Sequence, residues 1–423
     1  MGKGKNKSKD FLEVSFGGGK SVSTRSQAGD SEVSDLESVA QSSVAGDVDY
    51  QAEEVVVSAS AIDDICLELI DKRNHVRLQG LNRFIMLARK SVSCTEMNDS
   101  FNTIAEAIER NLHHDDDEVL KACSAAALFS ILSGQEIEDQ IEPIAVVLRA
   151  LTRDHTKSEA LRASGAQALG LIVMLSSDQP RDIEDSIKVL YDVWSGFRTT
   201  STTSSLFTAS LASWVLLIHK ANAVTISRAY NDGVTKLTKF LESTNVDIRI
   251  AAGEALAALY ELGSKDDDDF EFTNHQHIKS LFEELSQDTL KYHAKKDKRM
   301  QRFSFRQIMD IIFNDIYPDT EVQFSKREVL EITSCVDRLF YDALCNFLQG
   351  STNLHIQKNP IVREVFSLPP VPVEEVIPLT KQEKKDLRQM NNLTDKARKI
   401  QRSKQLSYYT CDGSLTVLVT VKN

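Results

Sequence analysis

From about Ile62 onward, apolar residues recur every three to four positions in blocks separated by short polar stretches, the pattern of amphipathic helices. Gln140 to Leu151 shows it clearly, with Ile141, Ile144, Val147 and Leu148 on one face. Between such blocks lie segments of another kind, dense in small residues. They are Val76-Arg77 leading to Phe84, Leu120 to Leu128, Leu161 to Leu169, Leu206 to Trp214, and Ile248 to Leu256. Their first residues, at 76, 120, 161, 206 and 248, are 44, 41, 45 and 42 positions apart. A recurring interval of roughly 40–47 residues is the period of two- and three-helix HEAT and armadillo repeats. The sequence thus predicts an all-α, HEAT/armadillo-like helical-repeat solenoid.

The residue types suit that architecture. Ala125, Ala126, Gly165, Ala168, Ala251, Ala252 and Gly253 let helices approach closely. Acids at Asp115 to Asp117 and at Asp247 stand where an N-cap or first-turn carboxylate opposes the helix dipole. Thr199 to Ser205 and Lys265 to Asp269 read as solvated connections.

Further along, the pattern predicts one long helix over roughly Ile278 to Asn314, a break through Pro318 to Phe324, and a helix from about Lys326 to Leu348. Pro360, Pro369, Pro370 and Pro372 then mark the end of the array. The domain reading is a disordered acidic and Ser-rich segment at 1–55, a helical-repeat domain at 56–350, a Pro-containing region and linker at 351–380, a basic helix at 381–410, and an apolar, strand-like tail at 411–423.

Composition agrees: 423 residues carry only 17 Gly and 8 Pro, too few for a turn-rich β-protein of this length. The six cysteines contain no Cys-x-x-Cys pair and read as buried thiols of a reducing compartment. No apolar run follows the basic N-terminus and none approaches the ~18 residues of a membrane span, so the expected setting is soluble and intracellular. The motif set for phosphate loops, nucleophile elbows and zinc proteases is absent. His113-His114 before three aspartates, and the acidic run Asp266 to Asp269, read as polar surface. The expectation is a non-enzyme with no cofactor, no metal, no membrane partner and no small-molecule substrate.

Net charge is −12, yet the cations cluster. In Lys291 to Arg306, seven Lys or Arg face one Asp. At 100° per residue, Lys291, Lys295, Lys298, Arg299, Arg302 and Arg306 share about a third of the helix circumference, with Lys296 close by. Such a stripe, beside apolar Phe305, Ile308 and Ile312, suits a phosphate backbone or an acidic partner. A second cluster, from Lys381 to Lys404, includes Lys384, Lys385, Arg388, Lys396, Arg398, Lys399, Arg402 and Lys404. A tethered basic helix can enter a nucleic-acid channel, and serves equally as a nuclear-import signal.

Asn245 to Leu256 followed by Leu259 to Leu262, then His293-Ala294-Lys295-Lys296-Asp297-Lys298-Arg299 through Arg306, closely resembles the interferon-related developmental regulators. So does Asn359 to Phe366 ahead of Pro369-Pro370. The resemblance covers roughly residues 30 to 405. It implies a non-catalytic helical-repeat protein that controls gene expression in cytoplasm and nucleus, with two roles. One is binding of inactive ribosomes through rRNA, a C-terminal helix entering the mRNA path; by position that helix is Lys381 to Lys404. The other is transcriptional co-regulation, in which the solenoid binds transcription factors and corepressor or deacetylase complexes. The apolar end from Leu415 departs from a family that tends to stay basic there.

Overall fold

A computed structural model describes residues 59–371, other than 93–94, 266, 268, 288–294, 315, 317–319 and 326–327. Helices pair in chain order: α1 (Ala59–Leu69) with α2 (Asn74–Lys90), α3 (Phe101–Asn111) with α4 (Asp116–Ser133), α5 (Glu138–Arg153) with α6 (Glu159–Ser176), and α7 (Pro180–Ser195) with α8 (Ser205–Ile218). In the fifth pair the first member is broken into α9 (Ala223–Arg228), a π turn and α10 (Val234–Phe240), packed against α11 (Val246–Ser264). First helices stack on first helices, and second helices on second helices. Each second helix contains one of the five small-residue segments, so the 41–45-residue interval is the repeat of a helical solenoid.

The small residues sit where the second helices cross. A Cβ on Gly170 of α6 would lie 2.5 Å from the Ser213 Cβ of α8, closer than any real contact. The second half of α4, from Ala125 to Ser133, is buried all round, as a helix with neighbours on every side must be.

The dipeptide that opens these segments has a physical role. Arg77 is buried, donates from Nη1 to the carbonyls of Asp71 (3.0 Å) and Lys72 (2.9 Å), and forks onto Glu118 of the next repeat. Arg249 repeats this arrangement, with Ser243 O (2.5 Å) behind and Gln301 ahead. The guanidinium ties up carbonyls of the turn between paired helices and locks one repeat to its successor.

The acids behave less uniformly than expected. Asn245 caps α11, with Asp247 in its first turn, and Ser158 caps α6. Asp115 instead accepts from Asn74 Nδ2 across repeats at 3.0 Å. The 199–205 connection is docked rather than simply solvated: Thr199 O accepts from Ser243 Oγ (2.7 Å) and Thr244 N (3.0 Å).

Beyond α11 the structure corrects three expectations. The single helix over 278–314 is two helices, α12 (His275–Gln287) and α13 (Lys295–Asn314), packed together and both lying past the last repeat. Residues 320–332 form an antiparallel hairpin, β1 (Thr320–Gln323) with β2 (Val329–Ile332), where the sequence reading had begun a helix at Lys326. Its alternation is of period two, Val322 and Leu330 inward and Glu321 and Glu331 outward. Ser334 then caps α14 (Cys335–Leu348), so that helix starts at 335.

Pro360, read as the end of the array, occupies the first turn of a helix, where a missing N–H costs nothing. It opens α16 (Pro360–Val365), which follows α15 (Thr352–Lys358), and the compact body runs past 350 to Phe366. Val362-Arg363 reproduces the repeat device: Arg363 Nη1 holds the carbonyls of Ile356 (3.2 Å) and Gln357 (3.0 Å), and Nη2 meets Glu328 at 2.7 Å. The segments expected to be disordered (1–55), basic and helical (381–410) or apolar (411–423) lie outside the described residues.

Candidate binding surfaces

The first stripe lies on α13, and its orientation is set by the face that α13 buries. Gln301 and Phe305 are 1% and 0% exposed, and Ile308, Ile311 and Ile312 are buried with them. Phe305 packs against Phe282 of α12, ring centroids 5.5 Å apart, and against Gly253 of α11. Gln301 Oε1 accepts from the buried Arg249 Nε at 3.0 Å, and Gln301 Nε2 donates to Leu285 O at 3.2 Å. With that face anchored, helical geometry turns Arg299, Arg302 and Arg306 away from the core. Arg306 is exposed and the other two are half-buried; among the described residues none of the three forms an ion pair. Lys298 lies beside them. Lys295 and Lys296 open the helix, and Lys291 lies outside the described residues. So do Lys384, Lys385, Arg388, Lys396, Arg398, Lys399, Arg402 and Lys404.

A second feature was not legible in the sequence: residues 335–366 lie along the layer of second helices. α14 contacts α11, α8 and α4, and α16 contacts α4. Specific bonds hold this strap. Glu261 accepts from Cys335 N at 2.6 Å, Asn346 donates to Gln167 at 3.0 Å, and Arg89 Nε donates to Phe347 O at 2.8 Å. His355 Nε2 donates to Arg89 O at 3.0 Å, while Asn359 donates to the end of α4 at Ile131 O, 2.9 Å. The second halves of α4, α6, α8 and α11 are thereby buried. Exposed positions such as Lys121, Gln167 and Glu254 belong to the first halves. The repeated Val-Arg dipeptide at 362–363 was the one signal that could have revealed a further packed element.

Between α11, α13 and α14 a cleft is lined by Glu254, Ser304, Gln307, Arg338 and Asp342. Displacement of water by the surrounding protein, reinforced by Asp342, pushes the Glu254 carboxyl up to about 7. The same crowding raises Asp342, against the pull of Arg338. Among the described residues no group of three or more His, Cys, Asp or Glu is placed to hold a metal ion, and no helix is long and apolar enough to cross a membrane.

Paired helices in two stacked layers, locked by arginines at repeat spacing, define a HEAT/armadillo-like helical-repeat protein. The family model for interferon-related developmental regulators matches residues 24–312, and that for the interferon-related protein conserved region matches 359–405; the chain belongs to this family. It is 29% identical over 286 residues to interferon-related developmental regulator 2 of Mus musculus, covering 64% of each chain. To regulator 1 of Sus scrofa it is 29% identical over 284 residues, covering 64% of this chain and 62% of the relative. The matched region therefore spans slightly under two thirds of these relatives. A designed armadillo repeat protein aligns with 58% of this chain at 11% identity and a TM-score of 0.38, a loose likeness.

Proposed function

We propose that the chain is a non-catalytic regulator of gene expression that binds ribosomes through rRNA and silences translation, using the α13 stripe together with the basic segment at 381–404. The observation that carries this reading is the set of Arg299, Arg302 and Arg306, which project from a buried helix and form no ion pair among the described residues. Arginines held on a rigid helix are suited to phosphate oxygens, and rRNA is a dense phosphate surface. The strap over the second helices supports the same reading, since it takes up part of the layer an adaptor would otherwise present. The alternative, a nuclear co-regulator that binds transcription factors and corepressors through the solenoid, would have to use the first halves of those helices.

The test is co-sedimentation of the full chain with ribosomes across a salt series. Each phosphate contact contributes roughly 0.7–0.9 to the slope of log affinity against log salt. The triple change Arg299→Gln, Arg302→Gln, Arg306→Gln is expected to flatten that slope by about 2 to 3 and to weaken pelleting. A chain that stays in the supernatant at low salt, or a triple variant that pellets like the original, would refute the proposal.

A further inference from the structure

Three of the repeat-spaced arginines are satisfied on both sides, and one is not. Arg77 holds turn carbonyls behind it and Glu118 ahead; Arg249 holds Ser243 O and Gln301; Arg363 holds two carbonyls and Glu328. Arg162 occupies the same register on α6 and is 8% exposed, yet it makes a single bond, from Nε to Thr152 O at 3.0 Å. Glu159 and Asp154 attract it through space, but it forms no ion pair among the described residues. The cause is in the sequence. Glu118 stands two residues before Leu120; two residues before the equivalent Leu206 stands Ser204, whose hydroxyl donates to Asp247. The repeat that should supply a carboxylate supplies none.

What lies ahead of Arg162 is open space. A cleft of about 830 Å³ separates the 154–157 turn from the 196–204 connection, and Arg162 lines it together with Arg153, His155 and Arg198. Of the two acids in its wall, Asp192 is already paired with Arg153 at 2.7 Å, which leaves Glu159 against Arg162 and the exposed Arg198. Buried guanidinium nitrogens without a partner are costly, and an anion that reaches them is bound by charge-assisted bonds in a setting of reduced screening.

We propose that this cleft is a binding site for an acidic peptide, one of whose carboxylates reaches Arg162 as Glu118 reaches Arg77, with Arg198 engaging a neighbouring acid. The pattern fits discrete carboxylates better than a continuous phosphate backbone, because Glu159 and Asp192 flank the slot and repel a polyanion that cannot avoid them. The chain carries such a sequence itself: residues 30–54 hold eight Asp or Glu and no Lys or Arg.

The experiment measures fluorescence anisotropy of a labelled oligo-glutamate peptide and, separately, of a labelled RNA oligonucleotide, against the full chain. Arg162→Lys keeps the charge and loses the fork; Arg198→Ala changes an exposed side chain and leaves the fold intact. Peptide affinity is expected to fall about ten-fold in Arg162→Lys and at least three-fold in Arg198→Ala, with RNA affinity unchanged. A full chain with the eight acids of 30–54 replaced by amides identifies the source. Tighter peptide binding than in the original chain means that the chain's own segment competes for the cleft, and equal binding means an external partner; either supports the site. Peptide affinity within two-fold of the original in both Arg variants, or an effect on RNA binding alone, would overturn it.

Discussion

Phe305 lies directly over Gly253, so that a Cβ on Gly253 would come within 2.8 Å of the Phe305 ring and 2.9 Å of Ile308. This contact seats α13 on the last repeat, and with it the direction in which Arg299, Arg302 and Arg306 project. Gly253→Val is expected to cost about 1–3 kcal/mol through overpacking and to weaken ribosome pelleting in parallel. Thermal unfolding measures the first effect and co-sedimentation the second; normal binding by a destabilised variant would separate the seat from the stripe.

Arg77 and Glu118 form a buried pair whose side chains are 10% and 0% exposed. Glu118→Ala leaves a buried guanidinium without its counterion and is expected to destabilise by about 3–5 kcal/mol. The double change Arg77→Met with Glu118→Leu is expected to recover much of that loss, since the charges go together. Denaturant unfolding of the single and double variants decides the matter; equal destabilisation in both would show that shape, not charge pairing, is at stake.

Asn359 is the hinge pin of the strap. Its side chain donates to Ile131 O and accepts from Ile361 N at 2.9 Å and Val362 N at 3.3 Å. Asn359→Ala is expected to cost roughly 1–3 kcal/mol from buried groups left unpaired, with hydrogen exchange rising over 352–366 before it rises in α2 or α6. Uniform acceleration across the array would contradict a strap that opens on its own.

The Glu254 carboxyl, with an ordinary value of 4.5, is raised to about 7 in the folded chain. Between those values the folded state binds more protons than the unfolded state, so stability is greatest at low pH and falls as pH rises from about 4.5 through 7. Glu254→Gln is expected to remove this fall and to be the more stable form at pH 8. Melting temperatures of both chains from pH 5 to pH 8 test it, and parallel curves would eliminate Glu254 as the source.

Much of this was legible in the sequence, for reasons tied to particular residues. The five segments beginning at 76, 120, 161, 206 and 248 recur because each repeat must solve the same local problem: a second helix that needs small residues at its crossings and an opening residue near the inter-repeat turn. The cationic face of α13 was legible because helical spacing alone places 299, 302 and 306 opposite an apolar row. The hairpin at 320–332 was missed because four-residue strands give too few alternations to outweigh a neighbouring helical pattern.

By itself, then, the sequence determined the repeat interval, the helical class, the family and which face of each helix is apolar. Only the tertiary structure decided what covers those faces. Arg89 meets Phe347 across 258 residues, Asn359 meets Ile131 across 228, and periodicity carries no information about contacts so remote. The same limit hid Arg162. Its residue type matches Arg77, and only the packing of Ser204 and the 196–204 connection around it leaves its guanidinium facing an open cleft.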